Sequence, residues 1–203
     1  MSVRFTMCLV PRVSEEHLTA RREQILAAAR VCFLSKGLHN TSMQDLIQQA
    51  GLSVGAVYRY FKSKNEIVSA IAAGVVGGIR QHFDEVAARR LPLADSIDLM
   101  LDAVEVQLGP GGNLPIALQV WAEATLDPAI GEIVRERYEG LRASVRTIVE
   151  HAVESGELPA DTDRDGVTAA VYALVPGYAL QRMLTGAPDK KTYAAGVRAL
   201  LER

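Results

Sequence analysis

From residue 41 to residue 64 the hydrophobic positions keep a helical period that breaks twice and resumes each time. Met43, Leu46, Ile47 and Ala50 fall at i, i+3, i+4 and i+7, a one-faced stripe that predicts a short amphipathic helix. Thr41 is placed to cap it, and Gln44 sits where a capping-box partner belongs. Gly51 suits the left-handed residue that ends such a helix, Leu52 can pack back against it, and Ser53 is placed to cap the next one. In that second helix Val57 and Phe61 form an i, i+4 pair facing the core, which turns Gly55, Ala56, Arg59 and Tyr60 outward. Two short helices hinged at one glycine are the signature of a helix-turn-helix, and a polar, aromatic outer face on so short a helix predicts that something docks there.

Ser63 then caps a further helix, with Glu66 completing the box and Lys62 and Lys64 beside its start. Lysines at a helix N-terminus run against the macrodipole, which favours anions there. A phosphate joining them resolves the conflict. Backbone amides, two ammonium groups and the Tyr60 phenol then converge on a duplex backbone and position the chain without reading sequence.

The stretch from Gly37 to Glu66, above all Val54 to Phe61 followed by Lys62 and Lys64, resembles the DNA-binding domain of the TetR family of bacterial repressors. The family's recognition helix typically reads Gly-Thr-Leu-Tyr-His-Tyr-Phe with a lysine within three residues. This chain has Gly55, Ala56, Val57, Tyr58, Arg59, Tyr60, Phe61 and Lys64. The match covers roughly the first third of the chain; beyond it only length and helical texture agree. Ala56 departs from the pattern by lacking a hydroxyl, while Arg59 brings a guanidinium able to pair with guanine O6 and N7. The resemblance implies a dimer joined through the eighth and ninth helices, a palindromic double-stranded DNA operator and a small-molecule effector that releases it. Phosphate contacts are expected from Lys64, Lys62, Tyr60 and the helix caps at Thr41, Ser42, Gln44 and Ser53, and base readout from Gly55, Ala56, Tyr58 and Arg59. Val54 either touches a thymine methyl or lies against the core; periodicity leaves both open.

The rest of the chain reads as helix throughout. Residues 1–18 have no clear period and are expected to form a flexible arm, within which Met7 offers a second start. Thr19 is placed to cap a first helix carrying Ile25, Leu26, Ala29, Cys32 and Phe33 up to Gly37, and Arg21 and Arg22 either reach DNA or stand in solvent. A fourth helix over about 64–89 links head to body, and Gly74, Gly77 and Gly78 inside it predict close packing or bending. Helices follow over about 92–108, 113–126, 128–155, 164–184 and 190–201. Pro176 predicts a kink in the eighth, by wrapping its neighbours or by lining a cavity with the freed carbonyl of Tyr172. Tyr193, Val197, Leu200 and Leu201 give the ninth an apolar face, for its own core or for a partner.

Charge sharpens the division. Residues 1–64 hold nine Lys or Arg against four Asp or Glu, a balance of +5, and the remainder of a chain with net charge -2 carries -7. A basic head on an acidic body fits a nucleic-acid reader with a separate second function. Cys8 and Cys32 are too few for a disulfide framework or a metal knuckle, no apolar run reaches the ~20 residues of a membrane span, and a cytoplasmic setting is the simplest reading. Asp161, Asp163, Asp165 and Gly166 match the opening of a calcium loop, but Tyr172 stands where its bidentate Glu belongs. His151 with Glu154, and His82 with Asp84 and Glu85, lack a third ligand, so neither metal nor cofactor is expected. No nucleophile or acid–base pair stands out for an enzyme.

The expectation is an all-α protein of about nine helices, with an arm over 1–18, a three-helix head over 19–64 and a helical ligand-binding and dimerisation body over 65–203. Phe83, Met100, Val104, Trp121, Tyr138, Tyr172 and Tyr178 are the body side chains expected to surround an apolar or aromatic guest, the alternative for each being core packing.

Overall fold

The computed structural model describes residues 15–201, and among them the chain is helical without a strand. The elements are α1 (Glu15–Lys36), α2 (Met43–Ala50), α3 (Val54–Tyr60), α4 (Lys64–Ala88), α5 (Leu93–Leu108), α6 (Leu114–Ala124), α7 (Pro128–Glu154), α8 (Arg164–Thr185) and α9 (Lys190–Leu201). Residues 1–14 of the expected arm lie outside the described residues, but α1 starts at Glu15, so Thr19 is inside it and not at its cap.

The capping box of α2 also shifts by one residue. Ser42 is the N-cap, accepting from Asp45 N, and the Asp45 carboxylate accepts in return from Ser42 N at 2.9 Å. Thr41 is buried, and its hydroxyl donates to the Gly37 carbonyl at 2.7 Å, so it seals the turn before the helix. Gly51 takes the left-handed conformation at φ 64°, and Ser53 accepts from Ala56 N to start α3, as the spacing predicts. At α4 Ser63 caps as expected, but the Glu66 carboxylate accepts from Lys62 N, one residue ahead of the usual box. The Asp163 carboxylate accepts from Asp165 N and Gly166 N, which accounts for the acidic run as a cap on α8.

Two hydrophobic clusters form the interior. One joins Ile25, Ala29, Phe33, Leu46, Val57, Phe61, Ile67 and Ile71 of the first four helices to Ile116 and Val120 of α6 and Ile130 of α7. The other gathers α4, α5, α7, α8 and α9 around Phe83, Ile97, Met100, Val145, Tyr172 and Tyr178. Helix α4 runs through both and packs lengthwise on α7, while α6 bridges from α7 to α1. Pro176 lies inside α8, which continues through it to Thr185.

The three glycines of α4 do not serve close packing. All are exposed, and a methyl group added at Gly74, Gly77 or Gly78 meets nothing within 4 Å. They lower the stability of the helix instead, because glycine leaves the unfolded chain more freedom than alanine does. Gly77→Ala is expected to raise unfolding stability by about 0.5–1 kcal/mol, seen as a higher urea midpoint. A lower midpoint would reveal a neighbour the open surface does not show.

Candidate functional site

Helix α3 is held by its inner face. Val57 and Phe61 are buried in the head cluster, and Arg22 lies over the Phe61 ring at 5.3 Å. What remains outside is Val54 at 59% exposed, Gly55, Tyr58 at 37% and Arg59, with Ala56 half-buried beside them. The exposure of Val54 turns it away from the core. Tyr60 is different: it is half-buried and packs against the head cluster, so less of it faces outward than the pattern predicts. Ser42, Gln44 and Ser53 are exposed along the same head, whereas buried Thr41 offers nothing to a ligand.

The two lysines are already engaged. Lys62 Nζ donates to the Tyr58 carbonyl at 2.6 Å, neutralising the C-terminal end of α3, and Lys64 Nζ donates to the Leu38 carbonyl at 2.9 Å. Each ammonium has three N–H groups, so one backbone bond leaves two for a phosphate. Lys64 therefore ties α4 to the turn between α1 and α2 while standing at the N-terminus of α4.

That same turn is gripped from the body. Gln119 of α6 accepts from Leu38 N through Oε1 at 2.7 Å and donates from Nε2 to the Phe33 carbonyl at 3.1 Å. One amide side chain thus satisfies the Leu38 donor left over where α1 ends at Gly37, whose φ of 82° favours glycine, and adds a second bond to the Phe33 carbonyl, which already accepts from Gly37 N at 3.1 Å. His39 beside it faces Glu123 of α6 at 3.5 Å. Neither Gln119 nor Glu123 stands out in the sequence, because a side chain that bonds distant backbone leaves no periodic mark.

Between α4, α6 and α7 lies a cavity of about 120 Å³, lined also by Tyr172 of α8 and Gln107 of α5. Its wall is almost wholly apolar: Val68, Ile71, Val75 and Ile79 from α4 face Ile116, Val120 and Trp121 from α6 and Ile133, Val134 and Leu141 from α7. Several of these belong to the head cluster and others to the body cluster, so the cavity sits on the seam between the two. Of the body side chains expected around a guest, Trp121, Tyr138 and Tyr172 line this cavity. The Tyr138 and Tyr172 rings meet edge to face at 4.3 Å, and burial above all, with Tyr138 beside it, pushes the Tyr172 phenol well above its ordinary range.

Phe83, Met100, Val104 and Tyr178 are not in that wall. They are buried in the body cluster, where helical spacing looks the same for a cavity as for a core. Tyr178 donates to the Glu105 carboxylate and packs at 4.9 Å on Tyr193, and burial followed by that carboxylate pushes its phenol up to about 12. Arg137 was the residue to find: it interrupts the apolar stripe of α7 between Val134 and Leu141 and lies in the cavity wall.

The remaining polar clusters are structural. His82 bonds the Leu99 carbonyl at 2.8 Å, Glu154 pairs with Arg90 at 2.6 Å, and no group of three potential metal ligands occurs among the described residues. None of the helices described is long and apolar enough to cross a membrane.

Comparison with known proteins agrees with this architecture. Residues 25–71 match the sequence profile described as bacterial regulatory proteins, tetR family, and residues 112–203 match that of the BetI-type transcriptional repressor, C-terminal. The chain is 27% identical over 167 residues to the HTH-type transcriptional regulator PksA of Bacillus subtilis, covering 81% of this chain and 79% of that one. It is 43% identical over 63 residues to the HTH-type transcriptional repressor Rv1474c of Mycobacterium tuberculosis, covering 31% and 34% of the two chains. The crystal structure of the regulator FadR from Bacillus subtilis in complex with stearoyl-CoA superposes with a TM-score of 0.74 at 19% identity, over 88% of this chain and 96% of that one, a likeness of fold.

Proposed function

Because the chain belongs to the TetR family of bacterial transcriptional regulators, we propose that it is a ligand-responsive repressor that binds a palindromic operator as a dimer. A small apolar or aromatic molecule entering the cavity between α4, α6 and α7 releases it. Residues 19–64 act as the reading head and 65–203 as the effector-binding and dimerising body, with the protein at work in the cytoplasm.

The observation that carries this reading is the continuity of α6. Gln119, which holds the head's first turn, is flanked on the same helix by Ala117, Val120 and Trp121 of the cavity wall. A guest that shifts those three residues must also disturb Gln119. Coupling of this kind acts only to the extent that the guest prefers the state that does not bind DNA, so guest and operator weaken each other equally. Two names among the relatives point the same way: one is called a repressor, and the FadR structure holds an acyl-CoA within the same fold.

On DNA, Arg59 and Tyr58 with the small Gly55 and Ala56 are the side of α3 that enters a major groove, and Val54 is free to meet a thymine methyl. Lys64→Ala is expected to weaken binding to operator and random DNA alike and to lower the salt slope by about one unit. Arg59→Ala should relax one operator position at a cost of about 1–3 kcal/mol. Anisotropy titrations at several salt concentrations check both. Altered discrimination in the lysine variant, or equal losses on all sequences in the arginine variant, would exchange their roles.

The reading as a whole is tested by a gel shift on the DNA upstream of the protein's own gene, beside a broad hydrolase screen. A shifted, salt-sensitive band protected over two half-sites about 34–36 Å apart supports it. Turnover without a shift would point instead to an enzyme with its site in the body.

A further inference from the structure

We infer that the effector is a small monoanionic acid, a single apolar or aromatic ring bearing one carboxylate, and that Arg137 is the residue that selects it. This rests on the cavity being the effector site. Its wall contains one charged side chain, Arg137, and no acidic one. The Arg137 Nε is shut off from solvent and has no hydrogen-bond partner among the described residues. Its side chain is 33% exposed, and among the described residues its guanidinium pairs with Glu136 alone, at 3.9 Å, a neighbour on the helix that is itself 67% exposed. The Nε of Arg30, Arg142 and Arg182 likewise makes no hydrogen bond among the described residues, but that of Arg182 pairs with Glu105 at 3.6 Å and none of the three lines the cavity.

A buried donor without an acceptor is costly, and one on a cation costs more. The group that best satisfies a guanidinium is a carboxylate, which accepts two parallel N–H bonds in the plane of the fork. The other polar groups of the wall favour the same guest. The Gln107 amide oxygen already accepts from Asn113 N at 3.2 Å while its NH2 edge can face a guest, the Asn113 amide brings a donor and an acceptor, and the Tyr138 and Tyr172 hydroxyls bond each other, which leaves the pair one O–H to donate. Among the described residues the wall thus carries one positive charge and no negative one, and a guest that brings a negatively charged acceptor completes it. Size sets the rest: an engineered apolar cavity of roughly 150 Å³ holds benzene, and the about 120 Å³ present here is of that order, so one ring fills it.

Isothermal calorimetry on the full-length protein at neutral pH, with benzoate, benzamide and toluene as probes, decides the matter. Benzoate is expected to bind about tenfold or more tighter than its neutral isostere benzamide. Arg137→Gln should abolish that preference while leaving toluene unaffected, and Arg137→Lys should retain part of it. Benzamide binding as tightly as benzoate to the wild-type protein, a comparison that needs no variant, overturns the acid while leaving the cavity as an effector site. A preference for benzoate that survives in Arg137→Gln overturns the role of Arg137. If none of the three probes binds, both this inference and the effector reading of the cavity fail.

Discussion

Replacing Leu184 and Leu200 together by aspartate should convert the protein into a folded monomer that no longer holds its operator. Both are large apolar side chains that the fold leaves in solvent, 67% and 70% exposed, at the ends of α8 and α9, and Leu180 and Leu201 are exposed on the same two helices. Isolated exposed leucines are ordinary, but four on the last two helices are what the proposed dimer needs as the surface its partner would cover. Neither substitution touches the interior. The inner side of α9 is fixed separately, by buried Val197, by Arg198 against Asp95 at 2.6 Å, by Lys190 against Asp102 at 2.6 Å, and by the Tyr193 hydroxyl on the Leu174 carbonyl at 2.9 Å. That division explains why removing residues 189–203 is the blunter experiment: it strips the partner surface and part of the core together, and insoluble protein is its expected product. With the two point changes, sedimentation should report a monomer and circular dichroism an unchanged helical signal. Operator affinity should fall by at least about a hundredfold, since a lone head loses the gain that a tethered second half-site provides. A dimer that persists at micromolar concentration in the double variant would move the interface off these helices.

What the sequence makes legible in this molecule is bounded by the range of the interactions. Helix positions came from stripes such as Met43, Leu46, Ile47 and Ala50, and turns from Gly51 and the Ser53 cap, because these depend on neighbours within one or two turns. Thr41 and Ser42 show how fine the remaining ambiguity is. Both can cap, Gln44 and Asp45 both suit the answering position, and the choice fell to Ser42 because the Thr41 hydroxyl is needed by the Gly37 carbonyl. The glycines of α4 misled for the opposite reason: a glycine inside a helix announces a missing side chain without saying whether a neighbour fills the space, and here none does. The cavity was half legible. Trp121, Tyr138 and Tyr172 line it, but Phe83, Met100, Val104 and Tyr178 follow the same 3.6-residue spacing into a filled core. Only three-dimensional packing separates a wall with a space behind it from one without. Gln119 was invisible altogether, for its partners lie 81 and 86 residues away and are backbone atoms that every residue type supplies.

Gln119→Ala is the second change with a large expected effect, and it should separate effector binding from effector response. In the intact protein the Gln119 amide bonds α6 of the proposed effector-binding body to the end of α1, and α1 packs directly on α2 of the helix-turn-helix. Deleting it leaves the Leu38 N–H, in a part-buried setting, without its acceptor, which costs about 1–3 kcal/mol of stability. The head core itself is untouched, since Phe33, Leu46, Val57 and Phe61 keep their packing. Operator binding without effector should therefore change little. Effector affinity should also hold, because Gln119 is not in the cavity wall. What should shrink is the product of the two: an effector that normally weakens operator binding by a factor in the usual coupling range, about 5–150-fold, should weaken it by only a few-fold. Reciprocity provides an internal check, for saturating operator DNA should then cease to weaken effector binding to the same degree. Gln119→Glu is a graded control: it keeps an acceptor for Leu38 N but places a carboxylate oxygen against the Phe33 carbonyl, so its coupling should fall between the two. A Gln119→Ala protein that binds effector and operator normally and still shows the full mutual weakening would route the signal through α4 alone.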